Sequence, residues 1–186
     1  MKITKAIVRR MSLDFKVGFR TSFGLSTTKD FSIVELHDSD GNVGYGACSA
    51  FMRPWYNEET TMGALFVIKE YLIPSLFDAG DFKDPEWFFD HTSWIRRNRM
   101  ARASVDCALW ELYSKELGIP EYKALGGVKD EIEAGVSLGI EDTPDKLLHT
   151  IEKYMAQGYR RVKCKIKPGY DINYLRAVRK EYGDIM

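Results

Sequence analysis

The sequence predicts an α+β domain followed by two βα units of a parallel α/β domain. Three observations carry that expectation. Residues 2–48 read mainly as strands and residues 58–117 mainly as helices. Beyond Glu131, strand, helix, strand and helix follow one another, the order of a parallel sheet with covering helices. Between the two regimes stands Leu125-Gly126-Gly127, which sets an expected boundary at 127/128.

In the first part, residues 2–13 alternate as a strand does, and residues 18–24 (GFRTSFG) read as a glycine-bounded loop. FSIVELH at 31–37 is a second β-rich run, followed by Asp38-Ser39-Asp40-Gly41-Asn42 and a third strand over 43–48. The acidic stretch has the chemistry of a hairpin turn. A calcium loop would need a glutamate at its twelfth position and flanking helices, and neither is present. A helix over 58–77 carries Met62, Leu65, Phe66, Tyr71 and Leu72 on one side, with Pro74 limiting its end. Residues 85–95 begin with a proline suited to a first helical turn. The strongest helical pattern covers 100–117, with Val105, Leu109, Leu112, Tyr113 and Leu117 at helical spacing and Gly118 as its stop. Its approach is basic through Arg96, Arg97, Arg99 and Arg102. Without interleaved aromatics or surplus positive charge, that stretch reads as a solvated helix start or an interface.

In the second part, Ala134, Val136, Leu138 and Ile140 alternate with Gly135, Ser137 and Gly139, a period-two strand. Asp142-Thr143-Pro144 offers an N-cap and a proline at the first helical position. Leu147, Leu148, Ile151, Tyr154 and Met155 then form an apolar stripe that ends at Gly158. A strand over 160–167 stops at Pro168-Gly169, and a helix over 171–182 turns Ile172, Leu175 and Val178 inward before Gly183.

Composition narrows the classes of function. The 186 residues hold 27 Lys plus Arg against 27 Asp plus Glu, and 13% are aromatic. A disordered chain is excluded by its aromatics, and balanced charge argues against nucleic-acid binding. No apolar run approaches the roughly 18 residues of a membrane span. Residues 1–10 alternate charge with apolar side chains, so they do not read as a secretory signal. Cys48, Cys107 and Cys164 have no metal-ligand spacing, and they fit a reducing cytoplasm in which they are buried thiols.

The chemistry is concentrated in Val162-Lys163-Cys164-Lys165-Ile166-Lys167. On a strand, Val162, Cys164 and Ile166 face one way and the three lysines the other. At an open sheet edge the lysines are a solvated face. In a parallel strand covered on both sides the apolar set packs on helices, and the lysines line a barrel or crevice where active sites form. Two ammonium groups on one face disfavour each other's charge, which lowers a lysine toward use as a base. Cys164 falls on the helix side as a packing thiol. His37, His91 and His149 lie far apart in sequence and read as surface or interface residues.

Together these stretches resemble the enolase superfamily, in its muconate-lactonizing subgroup and its o-succinylbenzoate synthase and N-acylamino-acid racemase branch. The matching segments are FRTSFG at 19–24, PWYNEET at 54–60, ARASVDCALWELYSKELG at 101–118, LGG at 125–127 and GYRRVKCKIKPG at 158–169. The resemblance implies an α+β capping domain over residues 1–127 and the first two βα units of a TIM-like barrel over 128–186. It implies Lys165 as the acid/base for the proton beside a carboxylate, with Lys163 supplying positive charge. It also implies substrate contacts from Ser137, from Phe19 and Phe23 on a loop that closes the site, and from Phe51 and Tyr56 on a second loop. The activity implied is enolisation of a small carboxylate with Mg²⁺ or another divalent metal. Its outcome is dehydration to o-succinylbenzoate, a menaquinone precursor, or racemisation; dipeptide epimerase and muconate cycloisomerase are the alternatives. Ala47 and Phe51-Met52-Arg53 depart from the branch's usual residues, Glu and Met-Glu-Asp, in positions that affect substrate preference.

An eight-stranded barrel takes about 250 residues, so the barrel is expected to be incomplete in this chain and its metal ligands to lie beyond Met186. The 186 residues alone are then expected to be inactive. They would need a partner to cover the sheet edge, either a second copy or the remainder of the barrel. The competing reading is a non-catalytic truncated chain serving as a binding or interaction module.

Overall fold

The computed structural model describes residues 1–183. Its elements are three strands, β1 (Ile3–Thr21), β2 (Gly24–Asp38) and β3 (Val43–Cys48), followed by helices α1 (Thr61–Val67), α2 (Ile73–Ala79), α3 (Glu86–His91), α4 (Arg99–Leu117) and α5 (Glu121–Ala124). Then come β4 (Gly135–Leu138), α6 (Pro144–Met155), β5 (Arg161–Cys164) and α7 (Ile172–Tyr182). Two sheets result: β1-β2-β3, in which β2 and β3 are antiparallel, and the parallel pair β4-β5. This is the α+β-then-βα order that the sequence predicts.

The chain divides into two compact units, Met1–Leu13 with Lys29–Val128, and Asp14–Thr28 with Lys129–Met186. The division crosses the chain at 13/14, 28/29 and 128/129, because residues 14–28 of the long β1–β2 hairpin fall in the second unit. Residues 18–24, expected as a loop, are the end of that hairpin, with only Ser22 and Phe23 in the turn. The alternation of Phe15, Val17 and Phe19 with Lys16, Gly18 and Arg20 continues the strand period to its tip.

In the first unit, Val34 and Leu36 of β2 pack with Ile68, Leu72 and Leu76, and with Val105, Leu109 and Leu112 of α4. The inward face of the first helical stretch is Ala64, Ile68, Leu72 and Leu76, at four-residue spacing. Met62, Phe66 and Tyr71, expected on the apolar side, are exposed. That stretch also runs past Pro74 to Ala79. A single π-type turn over Ile68–Leu72, closed by Ile73 N–H donating to the Ile68 carbonyl, opens the backbone ahead of the proline.

Gly44 and Gly46 of β3 lie directly against α4. A β-carbon built on Gly46 would sit 1.8 Å from the Ser104 carbonyl oxygen, and one on Gly44 2.1 Å from that of Ala108. The absence of side chains lets strand and helix backbones touch. At the turn before β3, the Asp38 carboxylate accepts from the Asp40 and Asn42 N–H groups and the Asn42 amide, a self-contained hairpin turn.

The start of α4 is capped from a distance. Glu59, buried, accepts from the Met100 and Ala101 N–H groups at 2.9 and 3.0 Å, satisfying donors that a helix leaves open at its positive end. Replacing it with alanine strands those N–H groups in the interior. Glu59→Ala is expected to lower unfolding free energy by about 2 kcal/mol in urea titration, with Glu59→Gln recovering part of the loss.

In the second unit, Leu138, Leu147, Ile151 and Tyr174 form the core, flanked by Val136, Val162, Cys164, Val178 and Tyr182. Thr143 caps α6 by accepting from Lys146 N–H, with Pro144 in the first turn, as the sequence predicts. For α7 the inward set is corrected. Tyr174, Val178 and Tyr182 face the core at four-residue spacing, while Ile172 and Leu175 are exposed. Tyrosines can lie inward because their hydroxyls reach partners: Tyr174 donates to the Asp142 carbonyl and Tyr182 to that of Leu148.

Candidate functional site

The lysine segment becomes β5 and its continuation. In the parallel register Val136 pairs with Val162, Ser137 with Lys163, and Leu138 with Cys164. The ladder runs one residue further, with Lys165 N–H donating to the Leu138 carbonyl at 3.3 Å. Register partners in a parallel pair share a face. Val136, Val162 and Cys164 pack toward the helices, so Ser137 and Lys163 stand side by side on the opposite face. Burial pushes the Cys164 thiol up, the reverse of what a nucleophile needs. Against the expectation of three buried thiols, Cys48 is buried, Cys164 is half-buried and Cys107 is exposed on α4. The inward face of α4 is Ala101, Ser104, Val105, Ala108, Leu109 and Leu112, and position 107 falls off that stripe.

Lys165 is half-buried, whereas Lys163 and Ser137 are exposed. The Lys165 ammonium lies over the Phe19 ring, 5.2 Å from its centre, a cation–π arrangement. Lys167 is engaged separately, over the Tyr170 ring at 4.3 Å. The structure thus brings together four of the sequence-predicted residues: Phe19, Ser137, Lys163 and Lys165. Phe23 stands at the hairpin turn in the same unit, largely exposed.

Phe51 and Tyr56 belong to the first unit. Their ring centres are 5.7 Å apart, and Trp55 joins them at 4.5 Å from Phe51 and 5.9 Å from Tyr56. Trp55 is an addition to the expected set, and the signal for it in the sequence is its place in the matching segment PWYNEET. Arg20, in the matching segment FRTSFG, and Asp142, beside the α6 cap, were not expected at the site, and they form an ion pair.

Among the described residues, no group of three or more His, Cys, Asp or Glu is placed to hold a metal ion. His37 Nε2 is 2.8 Å from the Glu35 carboxylate, and His91 stacks on Trp87 with ring centres 4.4 Å apart. The ammonium groups and hydroxyl around Lys165 are not a divalent-cation donor set.

Residues 3–126 match the family model for the mandelate racemase / muconate lactonizing enzyme N-terminal domain. Over 185 residues the chain is 45% identical to an o-succinylbenzoate synthase from Geobacillus kaustophilus, covering 100% of this chain and 49% of that protein. It is 37% identical over 182 residues to an N-succinylamino acid racemase from Thermus thermophilus, covering 98% of this chain and 49% of the relative. Among solved structures, an enolase-superfamily member from Listeria innocua superposes with a TM-score of 0.93 at 38% identity, over 100% of this chain and 50% of that one. A dipeptide epimerase from Enterococcus faecalis, solved with Mg and a dipeptide, gives 0.84 at 25% identity, over 100% and 52%. The chain spans about half the length of the curated relatives it matches. It belongs to the mandelate racemase / muconate lactonizing enzyme family of the enolase superfamily, and it carries that superfamily's α+β capping domain followed by the first two βα units of its barrel.

Proposed function

We propose that the whole protein is a metal-dependent enolising enzyme, with o-succinylbenzoate synthase and N-succinylamino acid racemase as its specific activities. The observation that carries the reading is the pairing of Ser137 with Lys163 in register, with Lys165 next along the strand and its ammonium over Phe19. The relatives' names support the same chemistry.

In this proposal the Lys165 amine takes the proton from the carbon beside the substrate carboxylate. In dehydration the electron pair left on that carbon forms a double bond as hydroxide leaves; in racemisation a proton returns from the opposite side. Lys163 holds positive charge beside the developing anion, and Ser137 offers a hydroxyl to the substrate. Phe19 and Phe23 on the hairpin, and Phe51 and Tyr56 on the other loop, contact the small carboxylate substrate. Residues 1–127 act as the capping domain and 128–186 open the barrel. Mg²⁺ is the proposed cofactor of the whole protein, supported by the Mg in the Enterococcus faecalis epimerase. When bound, the metal would stabilise the negative charge that develops on the substrate; among the described residues no cluster of His, Cys, Asp or Glu is placed to hold it. Three free cysteines support placing the protein in the reducing cytoplasm.

The test is turnover by the whole protein, with Mg²⁺, of the o-succinylbenzoate precursor and of N-succinyl amino acids. Dipeptides and muconate serve as comparison substrates. Conversion of at least one of the first two is expected. Activity confined to dipeptides or muconate would move the assignment to another branch, and turnover of none would sink it.

A further inference from the structure

We infer that Arg20 and Asp142 are positioning residues that clasp the β1–β2 hairpin to the end of β4 and so hold Phe19 over Lys165. The inference rests on the proposed acid/base role of Lys165.

Two kinds of contact make the clasp, both within the second unit. One is main-chain: Ile140 N–H donates to the Arg20 carbonyl at 3.1 Å, adding a hairpin residue beyond the end of β4. Gly139 makes that approach possible, since a β-carbon there would lie 3.3 Å from Arg20 N and 3.4 Å from its carbonyl oxygen. The other is ionic: the Arg20 guanidinium pairs with the Asp142 carboxylate. Asp142 also accepts from Lys146 at 3.1 Å. Lys146 first, and then Arg20, hold the Asp142 carboxyl below the usual range, so it stays charged through neutral pH. The Asp142 carbonyl in turn accepts from Tyr174, fixing the loop that carries it to α7.

Phe19 is adjacent to Arg20, so holding the Arg20 main chain fixes the point from which the Phe19 side chain departs. On one side of this hairpin segment Phe19 meets the Lys165 ammonium. Phe19, Arg20, Ser137 and Asp142 themselves line a groove of about 350 Å³, together with Leu25 and Tyr154. Arg20 and Asp142 are about half exposed, so the pair is open to salt and competes with water. A contact of that strength steadies a segment without locking it, as a closure that must release product requires.

The test uses the whole protein. Arg20→Gln and Asp142→Asn should each raise KM three- to fivefold with kcat within twofold of wild type, because a looser hairpin leaves the substrate less well covered. The double exchange Arg20→Asp with Asp142→Arg, made together with Lys146→Gln so that no like charge faces the new arginine, should bring KM back to within twofold. A purely structural role would instead lower kcat through lost active protein and leave KM alone. That pattern, unchanged kinetics in both single variants, or no recovery in the double exchange would each overturn the clasp. Lys165→Ala, run in parallel, separates the two ideas: if it keeps wild-type proton exchange, the acid/base reading itself has failed.

Discussion

Lys165→Ala in the whole protein is expected to abolish exchange of the substrate's α-proton with solvent. A positioned acid/base contributes about 10²–10⁴-fold, and Lys165 is the lysine whose ammonium lies over Phe19. Lys163 lies two residues back and pairs with Ser137, and Lys167 is turned to Tyr170. Neither can take over at the same place. Exchange is read by loss of deuterium label from the α-carbon, which reports proton removal whichever product forms. Substrate binding should survive, because Lys165→Ala leaves Ser137 and Lys163 in place. Lys163→Met should be milder, lowering the rate while exchange remains measurable. Wild-type exchange in Lys165→Ala would remove the base assignment outright.

Gly46→Ala should destabilise the first unit more than any other single methyl addition considered. At 1.8 Å from the Ser104 oxygen, the new carbon meets main chain, which cannot rotate away as a side chain would. Strand and helix must separate, loosening Val34 and Leu36 from Val105 and Leu109. Overpacking of this kind costs about 3 kcal/mol, and a domain near 100 residues loses roughly 4–8 °C per kcal/mol. A fall in Tm beyond ~12 °C is therefore expected by calorimetry. Ala47→Val, on the exposed face of the same strand, should stay within about 0.5 kcal/mol of wild type. Equal stability of Gly46→Ala and wild type would contradict the backbone contact.

The two glycines illustrate how legibility divided. β3 itself could be read from the turn chemistry of Asp38–Asn42 before it, and α4 from its helical spacing. That the two pack backbone to backbone could not, because glycine in a strand pattern signals a bulge, a turn or close approach equally. Likewise Thr143 was recognisable as a cap, since cap and capped N–H are three residues apart. Glu59 was not, because its partners at Met100 and Ala101 lie some forty residues away. The inward faces of the Thr61–Ala79 stretch and of α7 differ from the expected ones where aromatics flank the buried stripe. Phe66 and Tyr71 turn outward beside Ala64, Ile68 and Leu72, and Tyr174 turns inward.

By itself the sequence determined what is local and periodic: the α+β-then-βα order, the strand that separates Lys163 and Lys165 from Cys164, and the motifs that mark the family. The tertiary structure decided which distant residues meet. It set Ser137 beside Lys163 through the parallel register, brought Phe19 over Lys165, and joined Arg20 to Asp142 across more than a hundred residues. The physical reason is that strand and helix periods are written in neighbouring side chains. Register, close backbone approach and ion pairing depend on how the chain folds back, and no short window of sequence encodes that.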